Sequence, residues 1–192
     1  MSSSRFVRGA LLLSALALLS CDTPAATESA AESSALAHAG HGPALVRGAT
    51  EFGDDLAELR ALTARFHDFD AAVAAGYSVQ ITPCLELPPL GAMGFHYGNP
   101  ALIDAEVALL EPELLLYEPQ KNGKLRFVGV EYIVPWTFIP ATAPAPVLPE
   151  LGLTFTAVPD AQLWGLHIYV ARNNPSGIFA DWNPKVSCQF AE

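Results

Sequence analysis

The sequence predicts an α+β fold in which a small, mainly antiparallel sheet of four or five strands carries one long N-terminal helix on a face. Apolar residues recur every three or four positions between residues 54 and 75, the period of an amphipathic helix. Two apolar segments, 113–118 and 124–134, flank Asn122-Gly123, a strong hairpin signal. One long helix and several hairpin-linked strands favour antiparallel pairing.

Residues 1–20 have the features of an export signal. Arg5 and Arg8 form a positive n-region, and residues 10–19 form an apolar run that is too short to span a bilayer. Leu18-Leu19-Ser20-Cys21 resembles the lipobox of bacterial lipoproteins, whose cysteine is acylated and begins the mature chain. The alternative is an ordinary secretory signal followed by an unmodified thiol. The pattern predicts an envelope protein anchored to the inner or outer membrane through Cys21, facing away from the cytoplasm.

Residues 21–50 are rich in Ala, Ser, Thr and Glu, without helical or strand period, and predict a disordered tether. His38 and His41 within it could chelate a divalent ion, although histidines in a flexible segment are more often solvated. Residues 51–192 are long enough for a single globular domain. Cleavage before Cys21 removes two arginines and no acidic residue, so the net charge falls from −10 to −12. That charge excludes nucleic acid as a partner.

The predicted helix over residues 54–75 begins with Asp54 and Asp55, where the helix dipole favours anions. Gly76 suits the left-handed position that follows a helix, whereas Asp68 offers the alternative of capping a second, shorter helix. The apolar stripe of this helix comprises Leu56, Leu59, Leu62, Phe66, Phe69 and Val73.

After the helix, residues 77–81 predict a short strand, and prolines then interrupt regular structure around Cys84. Asn99-Pro100 predicts an N-cap and a helix of about two turns from Ala101. Prolines at 140, 144, 146 and 149 make residues 135–159 a predicted long surface loop. The last strand begins near residue 162 and carries His167.

One acidic residue and two histidines are candidates for a functional site, because side chains alternate between the two faces of a strand. One face of the 124–134 strand is predicted to carry Val128, Val130, Tyr132 and Val134, and the other Phe127, Gly129, Glu131 and Ile133. Glu131 is therefore an acid among apolar residues. His167 lies between Leu166 and Ile168, and His96 lies in a glycine-flanked segment. If Glu131 and His167 occupy neighbouring strands, the three side chains meet in one polar cluster.

Two imidazoles and one carboxylate predict a divalent metal site. The set matches the facial triad of non-haem iron, and also a catalytic zinc site with one position open. The alternative is that His96 and His167 donate to backbone carbonyls and Glu131 accepts from tyrosine or backbone groups. The sequence contains no GxSxG, HExxH, P-loop or dinucleotide-binding motif.

Two cysteines, Cys84 and Cys188, remain after Cys21. In an exported protein, an even number of cysteines, here two, favours one disulfide. The alternative is a metal thiolate pair, for which the chain lacks a close CxxC spacing.

Several motifs resemble those of a group of exported bacterial proteins of unknown activity, common in actinobacteria and similar soil organisms. The motifs are residues 91–97 (GAMGFHY), 99–102 (NPAL), 116–118 (LYE), 128–132 (VGVEY) and 174–184 (NPSG through WNP). The resemblance covers roughly residues 64–188. It implies one shared domain and, through Cys84 and Cys188, a shared disulfide, but no reaction.

Three functions from different classes fit these observations. The first is a lipid-anchored module that binds a small apolar ligand in a pocket lined by tyrosines and tryptophans, which alternatively fill a core. The second is a metal-dependent enzyme that uses zinc or iron at His96, Glu131 and His167. The third is a structural or interaction lipoprotein. A pocket sealed by the 135–160 loop favours the first function, three converging ligand atoms the second, and a filled core the third.

Overall fold

The computed structural model describes residues 52–191. The predicted signal peptide, the lipidation site Cys21 and the tether to residue 50 lie outside the described residues. Within the described range, no helix combines the length and the apolar character needed to cross a membrane.

The described residues contain eight strands: β1 (Val79–Leu87), β2 (Gly91–Gly98), β3 (Leu114–Pro119), β4 (Leu125–Pro135), β5 (Val147–Leu148), β6 (Leu153–Thr154), β7 (Thr156–Val158) and β8 (Leu163–Ile168). Six of them form an antiparallel sheet at the centre of the domain, in the order β1-β2-β3-β4-β8-β7. A separate two-stranded sheet pairs β5 with β6. The predicted α+β class and antiparallel pairing are confirmed, but the predicted four or five strands are too few because β7 extends the edge of the sheet.

The prediction of one long helix over residues 54–75 is wrong. The segment forms α1 (Gly53–Thr63), a 3₁₀ turn (Ala64–His67) and α2 (Phe69–Ala74). Asp68 breaks the helix because its backbone is extended, with φ −92° and ψ 113°. Its carboxylate accepts a hydrogen bond from the backbone N–H of Asp70 at 3.1 Å and so caps α2. The alternative role for Asp68 is the one that the structure adopts.

Three further sequence predictions are wrong in detail. β1 continues through Pro83, which an edge strand tolerates because one side of its backbone needs no hydrogen-bonding partner. The helix predicted from Ala101 is replaced by turns, although the Asn99 side chain accepts from the Ala101 N–H at 3.1 Å as a helix cap would. The 135–159 segment contains three short strands, of which β7 joins the edge of the main sheet.

The helical segment covers one face of the sheet and builds the larger core there. Phe66 packs edge-to-face against Tyr77 and Phe127, with ring centroids 5.2 and 6.4 Å apart. The buried members of this core include Leu59, Phe66, Leu115, Tyr117, Phe127, Val130, Tyr132 and Ile168. This face is closed by apolar packing.

A C-terminal segment, residues 173–191, runs over the other face. The smaller core there contains Ala92, Leu116, Val128, Tyr169 and Val186. A disulfide between Cys84 on β1 and Cys188 ties this segment to the sheet edge, with Cα atoms 5.7 Å apart and 104 residues between them in sequence. The same face of the sheet carries the predicted polar cluster.

Candidate metal centre

Three strands bring together the three residues predicted to form a site. Glu131 on β4 and His167 on β8 are register partners, so their side chains leave the sheet side by side. His96 lies on β2 and is separated from β4 by β3. Its ring therefore reaches across one intervening strand to meet Glu131. The predicted placement of Glu131 and His167 on one face of adjacent strands is confirmed.

The donor atoms of the three side chains converge. His96 Nε2 lies 3.3 Å from Glu131 Oε2, and His167 Nε2 lies 3.7 Å from Glu131 Oε1. One ligand atom from each residue falls within 4.8 Å of the others. All three residues are buried, at 2%, 6% and 5% exposure for His96, Glu131 and His167. Among residues 52–191, this is the one group of three or more His, Cys, Asp or Glu residues with such proximity.

The far nitrogen of each ring has a partner outside the cluster. Thr82 Oγ1 lies 2.8 Å from His96 Nδ1, and Asp181 Oδ1 lies 3.3 Å from His167 Nδ1. Both contacts turn the Nε2 atoms toward Glu131. Histidines that bind metals usually use the second nitrogen in this way, since the outer partner fixes the ring orientation and the tautomer.

Sequence reasoning missed both outer partners. Thr82 lies on an edge strand predicted to end at residue 81, and Asp181 lies in a turn 14 residues beyond His167. Neither residue has a spacing to its histidine that marks a motif. The one signal in the sequence for an outer partner was the polar turn that contains Asp181, because this turn follows β8 and lies over the sheet.

One buried polar atom of the cluster has no hydrogen-bond partner. His167 Nε2 is inaccessible to solvent and makes no hydrogen bond, and it faces Glu131 Oε1 beyond hydrogen-bonding distance. Leaving such an atom unpaired costs about 1–3 kcal/mol, so native proteins rarely do so. A cation bound between His167 Nε2, Glu131 and His96 Nε2 would accept a lone pair from all three ligand atoms at once.

Gly165 makes room for the carboxylate. A Cβ atom at this position on β8 would lie 3.0 Å from Glu131 Oε1, closer than ordinary van der Waals contact. Its other neighbours, Val158 and Leu163, would lie at 3.4 and 3.6 Å, which is comfortable. The absence of a Cβ at Gly165 therefore matters for the position of Glu131 Oε1, and little for the packing of Val158 and Leu163.

Burial and charge determine the protonation of the cluster. Burial lowers the pKa of His96 to about 3, and the charge of His167 adds to the shift, so His96 is neutral. Burial alone would lower the pKa of His167, but the carboxylates of Glu131 and Asp181 outweigh it and raise that pKa. Burial raises the pKa of Glu131 as well. Without a metal, a proton is held between His167 and its acidic neighbours.

Asp181 differs from the three inner residues because it is exposed to solvent, at 53% of its side chain. The hydrogen bond from His167 lowers the pKa of Asp181 and keeps it ionised. Tyr169 holds this residue in place, since its hydroxyl donates to the Asp181 carbonyl oxygen at 2.8 Å. The Tyr169 ring also stacks on His167, with centroids 6.4 Å apart and planes 14° from parallel.

The aromatic residues considered for an apolar pocket divide between the two faces. Tyr117 and Tyr132 lie in the larger core and donate to the carbonyl oxygens of Phe66 and Leu109. Two surface clefts, of about 420 and 440 Å³, lie beside the β3–β4 hairpin and include Lys124 and Leu125 in their walls. Neither cleft is lined by a member of the cluster.

Comparison of the chain with known protein families, with curated proteins and with solved structures finds no match.

Proposed function

We propose that this protein binds one divalent transition metal, zinc in the first instance, at His96, Glu131 and His167. The observation that carries the proposal is the buried Nε2 atom of His167, which makes no hydrogen bond and points at a carboxylate and a second imidazole nitrogen. Two imidazole nitrogens and one carboxylate oxygen suit zinc, iron and related ions. The outer contacts from Thr82 and Asp181 support a metal site over a core hydrogen-bond network.

The spacing of the donor atoms suits a first-row metal ion. Ligands about 2.1 Å from a metal stand about 3.0 Å apart at neighbouring corners of an octahedron and about 3.4 Å apart in a tetrahedron. His96 Nε2 and His167 Nε2 lie 3.3 and 3.7 Å from the two oxygens of Glu131, and one ligand atom from each residue lies within 4.8 Å of the others. A shared ion would draw these atoms slightly closer together, and the same set serves zinc or iron.

A metal-dependent enzyme is the second candidate function, and the number of ligands favours it. Three protein ligands leave one position of a tetrahedral zinc ion for water, the pattern of catalytic zinc sites, whereas structural sites supply four protein ligands. A bound zinc ion acidifies such a water and polarises carbonyl groups. The solvent-exposed Asp181 marks the side from which water would reach the centre. Binding of a small apolar ligand has less support, because Tyr117 and Tyr132 fill the core.

We place this centre in the bacterial cell envelope, on a domain tethered to a membrane by lipidated Cys21. The support is the sequence of residues 1–21, together with the Cys84–Cys188 disulfide, since disulfides persist in oxidising compartments outside the cytoplasm. A metal centre there would draw on ions that pass through the envelope.

The first experiment is metal analysis of the full mature chain purified from its native envelope without chelators. We expect close to one equivalent of zinc per chain. His38 and His41 in the tether are replaced by alanine in a parallel preparation, so that adventitious binding by these residues is removed. Protein that carries no stoichiometric metal, and whose metal-free form takes up none at micromolar zinc, would overturn the proposal.

Ligand variants then locate the site. His167→Ala and Glu131→Gln should each weaken zinc binding by about 100-fold or more, since loss of an outer partner alone typically costs 10–100-fold. His67→Ala is the matched control, because this exposed histidine lies on the helical face, away from the cluster. Unchanged zinc affinity in both cluster variants would contradict the assignment.

A further inference from the structure

The two contacts that hold the histidine rings come from the two segments that the disulfide joins. Thr82, beside His96, lies on β1 two residues before Cys84. Asp181, beside His167, lies in the C-terminal segment, which also contains Cys188. From this arrangement, and resting on the proposed metal site, we infer that the Cys84–Cys188 disulfide controls metal affinity: the oxidised protein holds the metal tightly and the reduced protein holds it weakly.

β1 has fewer attachments near Thr82 than the inner strands have, because β1 is an edge strand that pairs on one side only, with β2. Gln80 Nε2 donates to the Thr82 carbonyl oxygen at 3.1 Å, and the Tyr97 hydroxyl donates to Gln80 Oε1 at 3.2 Å. The register of β1 with β2 is irregular on both sides of Thr82, which pairs with His96. Pro83 follows and has no N–H group to contribute to the ladder. The covalent link at Cys84 therefore stabilises the part of the strand that presents the Thr82 hydroxyl to His96.

The C-terminal segment has more attachments, so Asp181 depends less on the disulfide. Asn183 and Ala92 exchange two backbone hydrogen bonds of 3.1 Å, and Tyr169 donates to the Asp181 carbonyl. Beyond Asn183, the Ser187 N–H donates to Glu118 Oε1 at 3.2 Å. We therefore expect the contact between Thr82 and His96 to carry the larger part of the coupling.

The switch needs a two-electron exchange with a dithiol. A dithiol reductant supplies two electrons and two protons, the Cys84–Cys188 bond breaks, two thiols form, and the reductant becomes a disulfide. Both cysteines are half-buried, so a reductant can reach them. In the reverse direction, an exported protein disulfide accepts two electrons and two protons from Cys84 and Cys188 and becomes a dithiol, and the new Cys84–Cys188 bond would assemble the outer contacts. The chain would then capture its metal in the envelope and not before.

The test compares zinc affinity with and without the disulfide. The mature chain carrying His38→Ala and His41→Ala is measured by competition with a chromophoric chelator, alongside the same chain with Cys84→Ser and Cys188→Ser. Serine is used because free thiols bind zinc themselves. We expect the serine variant to bind zinc 10–100-fold more weakly, the range for loss of outer-shell support. Circular dichroism confirms that both proteins are folded.

A cycle with Thr82→Val separates this coupling from a general loss of stability. With the disulfide intact, Thr82→Val should weaken zinc binding about tenfold, and in the serine background it should add less than about threefold. Thr156→Val, an exposed threonine on the opposite edge strand, is the matched control and should change neither value. Fully additive losses, or equal affinity with and without the disulfide, would overturn the inference.

A kinetic measurement covers the case in which the serine variant does not fold. The zinc-loaded mature chain, carrying His38→Ala and His41→Ala, is reduced with a phosphine and its new thiols are blocked by alkylation. Zinc release to a chelator is then followed while mass spectrometry reports the alkylated cysteines. Release should be at least about tenfold faster after reduction; an unchanged rate after complete reduction would refute the coupling. An oxidised protein that binds no zinc at all would instead refute the metal site, so the two failures are distinguishable.

Discussion

Replacing Gly165 by alanine should weaken zinc binding while leaving the domain folded. The added Cβ would lie 3.0 Å from Glu131 Oε1, so that oxygen must move by a few tenths of an ångström. This oxygen is the one that faces His167 Nε2 at 3.7 Å. That displacement is comparable with the roughly 0.5 Å within which a metal site must hold its donor atoms, so we expect zinc affinity to fall severalfold.

The stability of the metal-free domain should change little in the same variant. The backbone of Gly165 lies outside the left-handed region, so alanine causes no backbone strain there. Gly→Ala at compatible positions gains about 0.4–1 kcal/mol through the unfolded state. The displaced carboxylate offsets part of that gain. We therefore expect the free energy of unfolding to stay within about 1 kcal/mol of the wild type.

The assay pairs urea unfolding of the metal-free protein with zinc competition titration. Gly53→Ala is the matched control, since a Cβ there meets nothing within 4 Å and its zinc affinity should equal that of the wild type. Wild-type zinc affinity in Gly165→Ala would refute the reasoning that Glu131 Oε1 is part of the site. A loss of several kcal/mol in stability would show instead that Gly165 serves the fold.

Three further outcomes follow. Burial raises the pKa of Glu113 from 4.5 to about 8, so the folded state holds a proton that the unfolded state has lost, and the free energy of unfolding should fall as pH rises between these values. In urea unfolding measured across this pH range, Glu113→Gln should remove roughly 3–6 kcal/mol of that fall. The same pH dependence of stability in the variant and the wild type would contradict this role of Glu113. Tyr169→Phe should weaken zinc binding severalfold by freeing Asp181, and equal affinity by titration would count against that role. Labelled palmitate should enter the wild type but not Cys21→Ala; equal labelling of both would exclude the anchor.

Alternation along a strand was enough to predict the inner half of the site. Glu131 and His167 are each flanked by apolar residues, and the faces assigned to them follow from the two-residue period. The pairing of β4 with β8 then brings them side by side. The position of His96 was less predictable, because three glycines within β2 weaken its sequence pattern as a strand.

Long-range contacts and local irregularities could not be predicted. A bulge where the register shifts beside Leu116 sends Phe127 to the helical core and Val128 to the opposite core, reversing the faces predicted for both. At Asp68 the side chain accepts a hydrogen bond from the Asp70 N–H and a new helix starts there. This local bond competes with the backbone hydrogen bonds of one continuous helix, and the sequence suits both conformations. Thr82 and Asp181 reach the histidines only through tertiary structure.

X-ray absorption at the zinc edge, on the loaded mature chain without His38 and His41, tests the central claim most directly. The account predicts a first shell of nitrogen and oxygen at about 2.0–2.1 Å, with outer scattering from two imidazole rings. His96→Ala should reduce that scattering to one ring. Sulfur at about 2.3 Å, or a first shell without imidazole, would contradict a metal centre at His96, Glu131 and His167.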